Sequence, residues 1–310
     1  MEYREEQRRH AVSLLAGGEI FRHDTGGGMF MGSEREYVLV DSNLNICLPI
    51  LESVKDYFKK NNVAWWRGNS PTGHTLSSQI ACINHLFPMR HDKAEVLKLA
   101  KSINSRFIDV LIINSDRYLP AYIQFEAVSD TDHLNEKTST RGSNCTSVDA
   151  LIYALHENGQ RVILPIEWKY TEKYDKQNKA EGQQGITRQG RYKCLINDSL
   201  QLQHENHGIY YYEPFYQLMR QTLWAEQMIR NKESETIKAD DFIHIHIIPP
   251  KNQGLLHKVY TCSNMDMEHT WRSQLKEQSK YRIIAPNDFL SSIDPQKYGW
   301  LLNYLQERYW

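Results

Sequence analysis

Three ionisable residues stand where apolar ones are expected. Asp149 interrupts the run Ser147 to Leu155, and Glu167 and Lys169 interrupt Arg161 to Tyr170. Both runs are rich in β-branched and aromatic residues and read as strands. Burying such groups is costly unless they pair with one another or with a metal. Two carboxylates and one ammonium at the end of a hairpin suit a hard divalent cation with oxygen ligands, and leave a positive charge for a phosphate or a hydroxide. A structural ion-pair cluster gathers the same residue types, so spacing alone leaves both readings open.

Register decides whether the three can meet. The two runs flank Asn158-Gly159, a strong hairpin signal. A strict two-residue loop would set Asp149 opposite Trp168 and leave Glu167 and Lys169 on the other face. A three-residue loop, Asn158 to Gln160, or a single bulge would set Asp149 opposite Lys169, with Glu167 beside Leu151 on the same face. The odd-length turn is therefore expected.

The elements around this hairpin follow from periodicity and punctuation. Helices are expected over Glu2 to Leu15, Ile50 to Lys60, Thr75 to Phe87 (stopped by Pro88), Asp92 to Ile103, Glu213 to Arg230 and Lys297 to Tyr309, with short ones around 253–261 and 265–274. Strands are expected at Glu36 to Val40, Phe107 to Ile113, Ala121 to Val128, Asp241 to Ile248 and Tyr281 to Ile284. Asp130 to Asn144 reads as a polar loop, and the stretch after Tyr170 as a solvated helix that breaks into a loop before Gly190. Without a repeat or a linker-like shift in composition, a single domain over 1–310 is favoured: an extension at 1–60, a core at 61–250 and a helical C-terminal addition at 251–310.

Composition excludes several classes. The chain has 310 residues, 40% apolar and 24% charged, with 16 Gly and 10 Pro, so it is neither collagen-like nor disordered throughout. No apolar run reaches transmembrane length, and the charged start MEYREEQRRH lacks the apolar region of a signal peptide, which points to a cytoplasmic protein without membrane contact. Five cysteines without paired spacing argue against a disulfide framework or a zinc-thiolate site. A net charge of -1 means that a polyanion must be met by a local patch, for which residues 169–193, with a net charge of +4 (seven Lys/Arg against three Asp/Glu), are the candidate. The glycines at 26–28 lack the Lys-Ser/Thr that completes a phosphate loop. His244-x-His246 lacks a third metal ligand nearby, and no G-x-S-x-G elbow accompanies Ser70 or Cys82.

Asp149 followed by Glu167-x-Lys169 on the next strand resembles the PD-(D/E)xK pattern of the restriction-endonuclease-like nucleases, with Val148 in place of the Pro. The order of Ser77-Ser78-Gln79, Phe125-Glu126, the hairpin, Arg191-Tyr192, the helix with Gln217 to Gln221 and the last helix from Trp300 to Tyr309 is similar to a bacterial group of that superfamily, over roughly residues 60–310. The resemblance implies an α/β fold with a mixed central sheet flanked by helices, and Mg2+- or Mn2+-dependent hydrolysis of phosphodiester bonds, most readily in DNA. It makes Asp149 and Glu167 metal ligands and gives Lys169 the role of orienting or deprotonating the attacking water. Glu126, inside its strand, is the candidate third acid, ahead of Glu172, which follows its strand; the early helix that more often carries this acid has Gln79 instead. Gln217, Arg220 and Gln221 share a helix face, with Arg220 placed to grip a phosphate and the glutamines to brace the metal ligands. A homodimer would suit paired strand breaks. The rival expectation is a nucleic-acid-binding or scaffold protein that keeps this fold without cleaving.

Overall fold

The computed structural model describes residues 2–66, 68–116, 119–137, 145–174, 178–205 and 207–310. Part of the expected polar loop (138–144) and part of the basic run (175–177) lie outside them. Helix α1 (Tyr3–Gly17) buries Tyr3, Gln7, Ala11 and Leu15, one residue in four, as a helix with a single packed stripe must. Strands β1 (Gly28–Phe30) and β2 (Ser33–Arg35) then form a hairpin closed by Met31 and Gly32. Both turn residues have positive φ, 53° and 75°, as a type I′ turn requires. The strand expected at Glu36 to Val40 does not form. The Asp24 carboxylate instead captures the amides of Gly26, Val40 and Asp41 and folds that stretch back, leaving Val38 a lone bridge to His74. The amides of Gly26, Gly27 and Gly28 go to Asp24 Oδ1, Arg35 O and Val38 O, so the glycine run is a plain loop rather than a phosphate cradle.

Helices α2 (Leu51–Lys60), α3 (Ser78–Leu86) and α4 (Lys93–Ile103) follow. Ser77 and Asp92 cap α3 and α4 through their side chains. Then come β3 (Phe107–Val110), a small pair β4 (Asn114–Asp116) and β5 (Leu119–Ala121), β6 (Ile123–Ala127), β7 (Val148–His156) and β8 (Arg161–Trp168). Helices α5 (Gly182–Asn197) and α6 (Phe215–Arg230) precede β9 (Asp241–Phe242) and β10 (His244–Ile247), two halves of one interrupted strand. Helix α5 reverses the expected order of helix and loop after Tyr170: the loop comes first, and the helix begins after Glu181 and buries Tyr192 and Ile196. The chain closes with α7 (Gln253–Leu256), α8 (Met267–Ser273), β11 (Tyr281–Ile284), α9 (Pro286–Phe289) and α10 (Pro295–Arg308).

Among the described residues, the hairpin β7–β8 is the middle of a seven-stranded mixed sheet. Strands β3 and β6 pair antiparallel with the two halves of β7, while β9 and β10 run parallel to β8 and β11 runs parallel to β10. Ala150, Ile152, Leu164, Ile166 and Trp168 pack one face against α2, α3, α4 and α10. Leu151, Tyr153 and Ile163 pack the other against α6 and α8. This is the mixed α/β sheet flanked by helices that the sequence implies. Residues 251–310 add an edge strand to it as well as helices.

Candidate active site

The turn between β7 and β8 has odd length but lies one residue earlier than expected. Gly159 N donates to His156 O (2.9 Å) and His156 N to Gln160 O (2.9 Å), so the loop is Glu157 to Gly159. Gly159, at φ 86°, takes the left-handed third position, which only glycine fills without strain. The ladder pairs Ala150 with Ile166, and one step further Asp149 stands level with Glu167 rather than with Lys169. This register places two carboxylates side by side, with the lysine one pleat beyond.

A cavity of about 540 Å³ opens at this end of the hairpin, with Gln79, Glu126, Ser147, Asp149, Glu167, Lys169 and Gln217 in its lining. Lys169 Nζ donates to Glu167 Oε1 (2.6 Å) and to Gln217 Oε1 (2.6 Å). Gln217 Nε2 donates back to Glu167 Oε1 (2.9 Å), and Gln221 Nε2 reaches Glu167 Oε2 (2.5 Å) and Ser147 O (3.2 Å). Asp149 Oδ2 accepts from Trp168 N (2.7 Å). The β6–β7 register sets Glu126 level with Asp149, between the pairs Phe125–Ala150 and Ala127–Val148. Glu126 adopts φ 47°, a strained conformation for a non-glycine residue inside a strand, and such strain collects at functional sites. Gln79 Nε2 (2.7 Å) and Ser147 Oγ (3.1 Å) donate to its carboxylate. Gln79, on the early helix where an acid is more usual, thus supports the acid on β6.

Burial, then the negative charges of Glu167 and Glu126, raises the Asp149 carboxyl well above its usual range. Burial would lower Lys169, but Glu167, Tyr174, Glu172 and Asp149 outweigh it and hold the ammonium charged. Four carboxylates, Glu126, Asp149, Glu167 and Glu172, line this cavity; the first three stand level on neighbouring strands, and Glu172, beyond the end of β8, accepts from Tyr170 N (2.6 Å). They are hard oxygen donors of the kind that Mg2+ or Mn2+ takes. Among the described residues, no three His, Cys, Asp or Glu groups are already drawn together as a ready-made metal site.

Not every residue singled out in the sequence joins the cavity. Arg220, on the same helix as Gln217, is engaged with Glu136 through Nε (3.1 Å) and Nη2 (2.9 Å), so the structure gives the expected phosphate grip to another partner. In the basic run, Lys169 is bound to Glu167, Lys173 pairs with Glu2 and Lys179 with Glu213. His244 and His246 are buried in β10, and His246 Nδ1 meets Tyr281 OH (2.9 Å), as core histidines do. Cys82 is buried and its thiol pushed well up, first by burial and then by the neighbouring acids, which disqualifies it as a nucleophile. Sequence reasoning missed Ser147, Tyr174 and the N-terminal residues Phe30, Met31 and Trp66 that wall the cavity. Only Ser147, next to the strand that carries Asp149, had a local signal.

A mixed sheet whose central hairpin carries an acid, an acid and a lysine at one end defines a restriction-endonuclease-like protein. A family model described as restriction endonuclease associating with ARP matches residues 14–310, and the chain belongs to that family. No curated protein and no solved structure matches it. Among the described residues, no helix is long and apolar enough to cross a membrane.

Proposed function

We propose that this chain is a metal-dependent nuclease that hydrolyses phosphodiester bonds in DNA, with Asp149 and Glu167 as metal ligands, Glu126 as the third acid and Lys169 at the scissile phosphate. The observation that carries the reading is the shared cavity of Asp149, Glu167, Glu126 and Lys169, in a chain that belongs to a restriction-endonuclease family. A bound Mg2+ or Mn2+ would supply an acidified water and neutralise charge developing on the phosphate. Gln217 and Gln221 hold the Glu167 carboxylate, and Gln79 and Ser147 hold that of Glu126, so the acids keep their aim without substrate. Lys169, kept protonated by its acidic neighbours, presents a fixed positive charge beside the site of attack. Arg220 belongs to a separate ion pair and has no part in this proposal.

The test is incubation of plasmid, linear duplex, single-stranded DNA and RNA with Mg2+, Mn2+ or EDTA, using wild type beside Lys169→Ala. Metal-dependent cleavage of DNA that the substitution abolishes is the expected result. A folded wild-type protein that leaves every substrate intact with both metals would sink the proposal in favour of a non-cleaving binding protein.

A further inference from the structure

The cavity extends well past the acids. Its outer wall is formed by Phe30 and Met31 at the tip of the β1–β2 hairpin, with Trp66 and His74, and Arg4 and Lys173 line the same space. The rings make one aromatic cluster: Phe30 lies 4.5 Å from His74 and 5.4 Å from Trp66, and Trp66 lies 5.8 Å from His74, centroid to centroid. His74 is buried at the back of the cluster (5% exposed), while Trp66 at 39% and Met31 at 70% face the opening. Met31 also occupies a left-handed turn position that Asn, Asp or Gly fills with less strain. An exposed, strained apolar residue at the mouth of a charged cavity gains nothing from burial.

This wall is tied to the acids through one side chain. Gln79 accepts from Trp66 N through Oε1 (3.1 Å) and donates to Glu126 through Nε2 (2.7 Å), so the tryptophan backbone is held in fixed relation to the carboxylate. A phosphate has no use for an apolar wall, whereas a nucleobase has a π face that stacks on aromatic rings and packs against methionine. In an intact duplex that face is covered by neighbouring base pairs and only the edges reach the grooves. It is available when the base is unpaired or turned out of the stack.

We propose that Trp66 and Met31, backed by Phe30 and the buried His74, form a platform for one unpaired nucleobase next to the scissile phosphate, so that the substrate is single-stranded or locally melted DNA. The inference rests on the nuclease reading of the acid cluster. Arg4 and Lys173 border the path of the flanking backbone.

The test couples base to platform. Binding of a single-stranded oligonucleotide is measured with Ca2+ in place of Mg2+, with one abasic residue walked along the strand, for wild type, Trp66→Ala and Trp66→Phe. At one position the missing base should weaken wild-type binding about tenfold, cost Trp66→Ala almost nothing further, and cost Trp66→Phe about what it costs wild type. Intact duplex of the same sequence should bind more weakly. Abasic losses that add to the Trp66→Ala loss at every position, or a preference for intact duplex, overturn the platform. Mg2+-dependent cleavage by wild type and Glu167→Gln is measured alongside. Additive losses with cleavage that Glu167→Gln abolishes would remove the platform and keep the nuclease. Coupled losses without cleavage would remove the nuclease and keep the base site, and a wild type that binds no DNA would remove both.

Discussion

Two buried carboxylate–cation clusters lie along α6, one at Glu136 and one at Glu167, and they are satisfied in opposite ways. Glu136 accepts from Thr146 N, Thr146 Oγ1, Tyr192 OH and two nitrogens of Arg220. An ionised carboxylate offers about four lone-pair sites, so this one is saturated. Among the described residues, Glu167 receives three donors and Asp149, level with it on the next strand, receives one. Donors outnumber the acceptor sites in the first cluster, and carboxylates are under-supplied in the second. The first is a lock between α6 and the loop before β7. The second leaves carboxylate acceptor sites unfilled, which the proposed cation site requires.

Exchanging the roles of the two glutamates is the strongest way to break this contrast. Glu167→Gln keeps the shape and an oxygen for Lys169 but removes the charge. Metal-dependent cleavage should fall about a thousandfold or more, which corresponds to roughly 4 kcal/mol of lost transition-state stabilisation, with a smaller loss of stability than at Glu136, because Glu172 and Asp149 still offset the buried Lys169 ammonium. Glu136→Ala should do the reverse. It leaves the Arg220 guanidinium and the Tyr192 and Thr146 donors without their shared acceptor, and stability should drop by about 3 kcal/mol in urea unfolding, while cleavage per folded molecule survives. Equal effects of the two substitutions on both readouts would show that the clusters are not different in kind.

A smaller effect sharpens the comparison without any substrate. If the spare acceptor sites at Asp149 and Glu167 take a divalent cation, Mn2+ or Mg2+ at a hundred times its dissociation constant should stabilise the folded chain by about 2.7 kcal/mol. Calorimetry should show that gain in wild type and Glu136→Ala, and not in Asp149→Asn or Glu167→Gln. A gain that persists in both site variants places the cation elsewhere.

The sequence made this contrast only half visible. Asp149, Glu167 and Lys169 stood out because charges broke two apolar strands, a pattern that depends on local spacing alone. The odd turn length could be inferred from the need to bring them together. Its position could not, because both Glu157 to Gly159 and Asn158 to Gln160 contain the same Asn-Gly, and the choice depends on which residue takes the left-handed position. Glu136 carried no signal, since it sat in a polar stretch and its donors come from Thr146, Tyr192 and Arg220, up to 84 residues away. Arg220 was singled out for sharing a helix face with Gln217 and Gln221, but side chains three or four residues apart can still diverge to different partners. The aromatic wall was illegible for a related reason: Phe30 meets Trp66 and His74 across more than thirty residues of sequence, with no local pattern to link them.

The smallest expected effect concerns a buried polar group that carries no charge at all. His85 on α3 is buried against Trp168 and Tyr309, its Nδ1 meets Ala81 O (2.7 Å), and its Nε2 has no hydrogen-bond partner among the described residues. Burial, far more than the nearby Arg308, pushes its pKa down from 6.5 to about 3. The folded chain therefore keeps this imidazole neutral, while the unfolded chain protonates it below about pH 6.5. The unfolded state binds the extra proton, so stability falls as pH drops from about 6.5 towards 3, by about 2 kcal/mol from this group at pH 5. His244 and His246 shift the same way, so His85→Leu should remove one share of the slope and leave the rest. Urea unfolding at pH 7 and pH 5 measures that share as the difference in slope between wild type and variant. An unchanged slope would mean that His85 is protonated in the folded chain, with a partner for Nε2 that only the charged ring can hold.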